Sequence, residues 1–147
     1  MRELQDRIAV VTGGGSGIGR AIALELARSG MHLVIADIDP ARLASVTGEI
    51  TALGRRAHGV VTDVRELAAV EQLLAETVRV FGRCHVAINN AGVFHANTIL
   101  GAAPEQWKRV IDTNLWGVIH GSRVFGRYFA EQREGHIVNT ASAAGLF

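Results

Sequence analysis

The segment Ile8-Ala9-Val10-Val11-Thr12-Gly13-Gly14-Gly15-Ser16-Gly17-Ile18-Gly19 runs from four consecutive apolar residues into a glycine-rich string. An unbroken β-rich run followed by glycines and then by residues of helical period is a strand, a tight turn and a helix start. Such a turn lets the backbone come close to a pyrophosphate. The helix N-terminus behind it offers free N–H groups and a partial positive charge. Within it Gly13, Ser16, Gly17, Ile18 and Gly19 are the candidate phosphate-side residues.

The rest of the chain repeats the alternation. His32-Leu33-Val34-Ile35-Ala36 is a second strand, Ala57–Val61 a third, Val86-Ala87-Ile88 a fourth and Ile137-Val138 the centre of a fifth. Most are near-continuous apolar runs, as in strands covered on both faces. Between them lie helical stripes: Leu43, Val46, Ile50 and Leu53 behind an Asp39-Pro40 cap and before Gly54, then Leu67, Val70, Leu74, Val78 and Phe81 before Gly82. A third helical stretch runs from Pro104 to about Gln132, with Trp107, Ile111, Leu115, Val118, Ser122, Phe125 and Phe129 assigned to one face. Strands alternating with helices of this length build right-handed βαβ units. The fold class is α/β, a Rossmann-type doubly wound parallel sheet, with residues 1–147 as one domain.

Composition limits the function classes. The chain has 147 residues, 48% hydrophobic and 20% charged, and a net charge of +1. That excludes disorder, and it leaves no basic footprint for nucleic acid. The lone Cys84 sits in an apolar run and reads as a buried packing residue. The six histidines show no metal-ligand spacing. The opening Met1–Arg7 has no apolar signal core, and no stretch has the roughly 18 apolar residues that span a bilayer, so the expected setting is cytoplasmic.

Asp37 ends the second strand eighteen positions after Gly19. A carboxylate there accepts hydrogen bonds from both hydroxyls of an adenosine ribose. It also repels a 2′-phosphate, and no arginine adjoins it or stands inside the glycine turn. A lost charge-assisted hydrogen bond is worth about 1.5–3 kcal/mol, or roughly tenfold to a hundredfold in affinity. NAD is therefore expected over NADP, with Arg42 the residue that would soften the preference.

With these features in place, the sequence resembles the short-chain dehydrogenases/reductases. Thr12-Gly13-x-x-x-Gly17-x-Gly19 is similar to the TGxxxGxG of the family's single-domain branch. Asp63-Val64 resembles its adenine-contacting pair, and Asn89-Asn90-Ala91-Gly92 its NNAG motif, whose Asn90, Ala91 and Gly92 would line the adenosine-side ribose. Asn114, within Asp112-Thr113-Asn114-Leu115, resembles the asparagine that positions a relay water. Gly135–Gly145 resembles the fifth strand, ending in the catalytic serine at Ser142, while His85 stands where the family often has an acid.

The resemblance implies hydride transfer between a nicotinamide cofactor and a small alcohol or ketone. It also implies a homo-oligomeric parent, in which the long helix helps form the interface. It further implies a proton-donating tyrosine about thirteen residues after the serine, with a lysine four further on. Phe147 stands five residues after Ser142, and the tyrosine and lysine that are present, Tyr128 and Lys108, precede it. The expectation is a sheet that stops at the fifth strand, with Ile137 and Val138 on a bare edge, the Phe125/Phe129 side lacking a partner, and catalysis poor in these residues alone. Two readings stay open: the N-terminal part of an NAD-dependent oxidoreductase, or a non-catalytic dinucleotide-binding module.

Overall fold

The computed structural model describes residues 3–98 and 100–142. The Ala143–Gly145 end of the serine motif and the Met1-Arg2 start of the chain lie outside the described residues. Five parallel strands, β1 (Ile8–Thr12), β2 (His32–Asp37), β3 (Ala57–Val61), β4 (Val86–Asn89) and β5 (His136–Asn139), form one sheet in the order β3-β2-β1-β4-β5. Helices α1 (Gly17–Arg28), α2 (Pro40–Ala52) and α3 (Leu67–Phe81) make the first crossovers. The last crossover is α4 (Pro104–Ile111), a π-helical turn (Asp112–Trp116) and α5 (Gly117–Gln132).

Side chains alternate across a strand, so a run that is apolar at every position feeds two cores at once. Ala9, Val11, Leu33, Ile35, Val86 and Ile88 point to one face and pack on Ala23, Leu24 and Ala27 of α1 and Leu43, Val46 and Ile50 of α2. Val10, Val34, Ala36 and Ala87 point to the other face, against Val70 and Leu73 of α3 and Phe125 and Phe129 of α5. The doubly wound expectation therefore holds for β1, β2 and β4, while of the edge strands β3 is half-buried and β5 mostly exposed. Asp39 caps α2 as expected, its Oδ1 accepting from the Ala41 and Arg42 amides at 2.9 and 3.2 Å. Cys84 is fully buried, and burial pushes its thiol up to about 12, which makes it inert packing.

Two details differ from the helical stripes. Leu53 lies at the exposed end of α2, one position past the last helical residue. On α3 the buried line is Val70, Leu73 and Thr77; Thr77 goes unnoticed as a core residue because its hydroxyl is hidden in a bond to the Leu73 carbonyl at 2.7 Å.

The third stripe needs a larger correction. The π turn has the Gly117 amide donating to the Asp112 carbonyl, five residues back, and this inserts a residue into the helical register. Residues before and after it no longer share a face. Trp107, Ile111 and Leu115 are exposed, while Phe125 and Phe129 are buried on the sheet. The Phe125/Phe129 side therefore has its partner, and that partner is this chain's own sheet. At the edge the expectation holds for Val138, which is exposed, but not for Ile137, which is half-buried against the second core.

Phe125, on α5, is fully buried in the second core, where it packs between the sheet and α3. Phe125→Ala removes its transfer energy and leaves a cavity, and is expected to cost about 3–5 kcal/mol in urea unfolding.

Candidate functional site

In an open parallel sheet, ligands sit beyond the carboxyl ends of the strands, where the strand order reverses. Here the reversal falls between β1 and β4, which are neighbours although α1, β2, α2, β3 and α3 intervene in sequence. The glycine turn leaves β1 and the Asn90-Ala91-Gly92 segment leaves β4, so topology alone brings the two together.

A single hydroxyl ties them. Thr12, at the end of β1, is 3% exposed. Its Oγ1 donates to the Ile88 carbonyl at 3.3 Å and accepts from the Asn90 and Ala91 amides at 3.0 and 3.1 Å. Asn90 returns the link, its Nδ2 donating to the Thr12 carbonyl at 3.1 Å. The network continues to β5, where Thr140 Oγ1 donates to Asn90 Oδ1 at 3.3 Å. Asn89 Nδ2 donates to Asn139 Oδ1 at 2.8 Å and to Ser122 Oγ at 3.3 Å. The paired asparagines thus divide their work: Asn90 faces the glycine turn and Asn89 locks the last two strands to α5.

The turn is glycine-rich for reasons visible atom by atom. Gly13 has φ +62°, and a Cβ there would stand 2.8 Å from the Ala91 Cα. A Cβ on Gly19 would overlap the Gly13 carbonyl and the Asn90 amide nitrogen. Ser16 precedes α1 with extended backbone and no side-chain cap, so the first-turn amides of Gly17, Ile18 and Gly19 find no acceptor within the helix or from Ser16. Gly17 and Ile18 are exposed at that helix end, whereas Gly19 is buried under it.

Asp37 is 7% exposed at the end of β2. Its Oδ2 accepts from the Gly15 amide at 3.0 Å and its Oδ1 from the Asp39 amide at 3.1 Å. The carboxylate is thereby held at the rim of the glycine turn, with acceptor capacity remaining on both oxygens. Arg42, the residue placed to soften its charge, is turned to Asp39 Oδ2 at 3.2 Å.

The other sequence candidates fall into two groups. Asp63 lies past the end of β3, but its carboxylate is taken up by Arg65, whose Nη2 reaches Oδ2 at 2.5 Å; the guanidinium holds its pKa below the usual carboxylate value. Val64 is buried in the second core, and its carbonyl lies 2.9 Å from His120 Nδ1. Asn114 sits in the π turn and is exposed. Its Oδ1 accepts from the Val93 amide at 2.8 Å and its Nδ2 donates to the Val93 carbonyl at 2.9 Å. Both ends of that amide therefore fasten the segment leaving β4, beside Gly92. Ser142 is exposed, three residues beyond β5 on the same edge of the sheet.

Sequence reasoning missed Thr12 as the residue that joins the two motifs. It also missed Val93, Phe94, His95, Gln106, Arg109 and Val110, which line a groove of about 380 Å³ beside Asn114. Thr12 stood in the quoted motif, but only the sheet order reveals which strand its hydroxyl meets.

This geometry defines an open α/β carboxyl edge at a strand-order reversal, and comparison with known proteins gives the family. Residues 7–147 match the short chain dehydrogenase family. A short chain dehydrogenase/reductase from Burkholderia phymatum, solved in complex with NAD, superposes with a TM-score of 0.96 at 42% identity, over 100% of this chain and 53% of that one. The "Probable oxidoreductase EphD" of Mycobacterium tuberculosis is 42% identical over 95% of this chain and 24% of its own length. The 3-oxoacyl-[acyl-carrier-protein] reductase of Synechocystis is 37% identical over 99% of this chain and 60% of its own. The chain belongs to the short-chain dehydrogenase/reductase family, and it spans 60% or less of the length of each of these relatives.

Thr12→Val keeps the shape and removes the hydroxyl, leaving the Asn90 and Ala91 amides without their acceptor. The expected loss is about 1–3 kcal/mol in chemical denaturation, well above that of an exposed Thr→Val substitution.

Proposed function

We propose that the chain is the nucleotide-binding portion, residues 1–147 as one domain, of an NAD-dependent oxidoreductase acting on a small alcohol or carbonyl compound. The carrying observation is the convergence of the glycine turn, the Asp37 carboxylate and the Asn90-Ala91-Gly92 segment at the β1/β4 reversal. The residues present suit a dinucleotide. The turn is bare where the backbone must approach a pyrophosphate, and a Cβ at Gly13 or Gly19 would fill or distort it. Bound there, a nicotinamide dinucleotide supplies the hydride acceptor or donor.

The chain's own residues then take these roles. The first-turn amides of α1, at Gly17, Ile18 and Gly19, face phosphate oxygens, with Gly13 and Ser16 shaping the turn. Asp37 accepts from the ribose hydroxyls with the oxygens that Gly15 and Asp39 hold in position. Its negative charge, with Arg42 turned to Asp39, favours NAD over NADP. Asn90, Ala91 and Gly92 line the neighbouring ribose. Asp63 and Val64 form the adenine-side wall, Val64 through its packed backbone and Asp63 only as the partner of Arg65. Ser142 holds and polarises the substrate oxygen, and Asn114 fixes the Val93 segment beside it and anchors the relay water.

The assembly is proposed to be a cytoplasmic homo-oligomer. Among the described residues no helix is long and apolar enough to cross a membrane. Trp107 and Ile111, one helical turn apart on α4, are 43% and 47% exposed, apolar surface suited to a protein neighbour.

Titration calorimetry of the purified protein tests the cofactor assignment. Asp37→Ala is expected to weaken NAD roughly tenfold to a hundredfold while leaving NADP unchanged or tighter. Equal loss for both nucleotides would remove Asp37 from the ribose. In the full-length protein, Ser142→Ala is expected to lower kcat for NAD-linked alcohol oxidation by about 10²–10³, with NAD affinity unaltered.

A further inference from the structure

The end of the sheet opposite the glycine turn carries a feature that the dinucleotide chemistry does not use. His85, the residue before β4, is 4% exposed. Its Nδ1 accepts from the Ile8 amide at 3.1 Å, and its own amide donates to the Ile8 carbonyl at 2.9 Å. Both the backbone and the imidazole of one residue therefore hold the first residue of β1. His32, the first residue of β2, repeats the device one strand over. Its Nδ1 accepts from the Arg56 amide at 3.1 Å, while the Arg56 carbonyl accepts from the Leu33 amide at 3.0 Å. Each imidazole adds one rung to the parallel ladder where the strands begin.

An Nδ1 that accepts a backbone N–H carries no proton, so the neutral ring keeps its proton on Nε2. In His32 that nitrogen lies 3.3 Å from the Arg55 Nη2 donor and 3.8 Å from Asp6 Oδ1, so its proton is turned to Asp6. Protonation would set N–H against N–H and turn the rung into a repulsion. The charges around each ring also act against that protonation on balance. His85 is faced by Arg7, Arg83 and Glu134, and Arg7 is itself paired with Glu134 at 2.7 Å. Burial is the largest influence and, with Arg7 and Arg83, holds the His85 pKa below its ordinary value against the pull of Glu134.

His32 is faced by Arg55, Arg56 and Asp6, and Arg55 holds Asp6 at 2.5 Å. Its ring stacks on Phe81, and the Arg56 guanidinium lies 4.6 Å from the centre of the Phe81 ring. Burial, then Arg55 and Arg56, lower its pKa in the same direction. The unfolded chain thus binds protons at a higher pH than the folded one. The stability these rings contribute is whole above the ordinary histidine value of 6.5 and is lost as pH falls from there through their folded values.

We propose that His32 and His85 form a pH-sensitive latch on the N-terminal edge of the sheet, closed while both rings are neutral and releasing the starts of β1 and β3 on protonation. The latch is local. It acts on the first rungs of the β1/β4 and β2/β3 pairs and leaves the strand centres to the two apolar cores.

Amide hydrogen exchange on the full-length protein, read as protection factors so that the intrinsic pH dependence divides out, tests this at pH 7.5 and 5.5. The Ile8 amide is expected to lose severalfold, up to a ceiling of about tenfold, in protection at the lower pH, relative to Val10 and Val34 in the strand centres. In His85→Asn the side-chain oxygen accepts at either pH, so the Ile8 protection is expected to be the same at both. Ring ¹⁵N shifts of the unaltered protein supply a reading that needs no variant: Nδ1 unprotonated at pH 7.5 in both rings, with midpoints below 6.5. Undiminished Ile8 protection at pH 5.5, an equal loss in His85→Asn, or a proton on Nδ1 at pH 7.5 would each overturn the latch.

Discussion

One hydroxyl group organises the carboxyl edge of this sheet. Thr12 Oγ1 makes three hydrogen bonds to β4 and the segment that follows it, and Asn90 answers with a fourth to the Thr12 carbonyl. A buried hydroxyl with its donor and acceptors all engaged is rigid, because any sliding of β1 against β4 leaves several polar groups unpaired at once. The glycine turn departs from Thr12 and the Asn90-Ala91-Gly92 segment from β4, so the bonds that fix the strand register also fix the distance between the two motifs. The packing of Gly13 against Ala91, and of Gly19 under Asn90, is possible only at that distance.

The same edge shows how a doubly wound fold separates stability from chemistry. The apolar residues of β1, β2 and β4 are consumed by two cores, one on each face. What remains for the strand ends is polar: Thr12, Asp37, Asn89 and Asn90, each buried or half-buried and each given partners. Among the described residues no buried side-chain nitrogen or oxygen lacks a hydrogen-bond partner, so this polar rim adds order without unpaired groups. The N-terminal edge is built differently. There the ladder is extended by imidazoles, whose ability to accept depends on pH, whereas the amides and hydroxyls of the carboxyl edge do not titrate.

Much of this was legible in the sequence because it follows from periodicity. Continuous apolar runs mean strands covered twice, and the Asp39-Pro40 pair means a capped helix; both are local rules and both hold. The glycine turn and Asp37 were also readable, since a bare strand-to-helix turn and an acid at the next strand end are patterns of one βαβ unit. The stripe from Trp107 to Phe129 was misread because periodicity assumes one helical repeat throughout, and the π turn at Asp112–Trp116 breaks it. The role of Thr12 was out of reach for a different reason: its partners lie 76 to 79 residues away, and only the strand order makes them neighbours. Asp63 was assigned through the family resemblance of the Asp63-Val64 pair, and its ion pair with Arg65 two residues on is a side-chain detail that no pattern of types encodes.

The most direct measurement of the central claim is a backbone amide NMR titration of the protein with NAD. The account predicts shifts concentrated at Gly13–Gly19, Asp37 and Asn90–Gly92, with the Thr12, Asn90 and Ala91 amides remaining protected throughout. Shifts centred instead on the polar cleft of about 480 Å³ between Arg65, Lys108, Arg109 and His120, or no shifts at all, would contradict it.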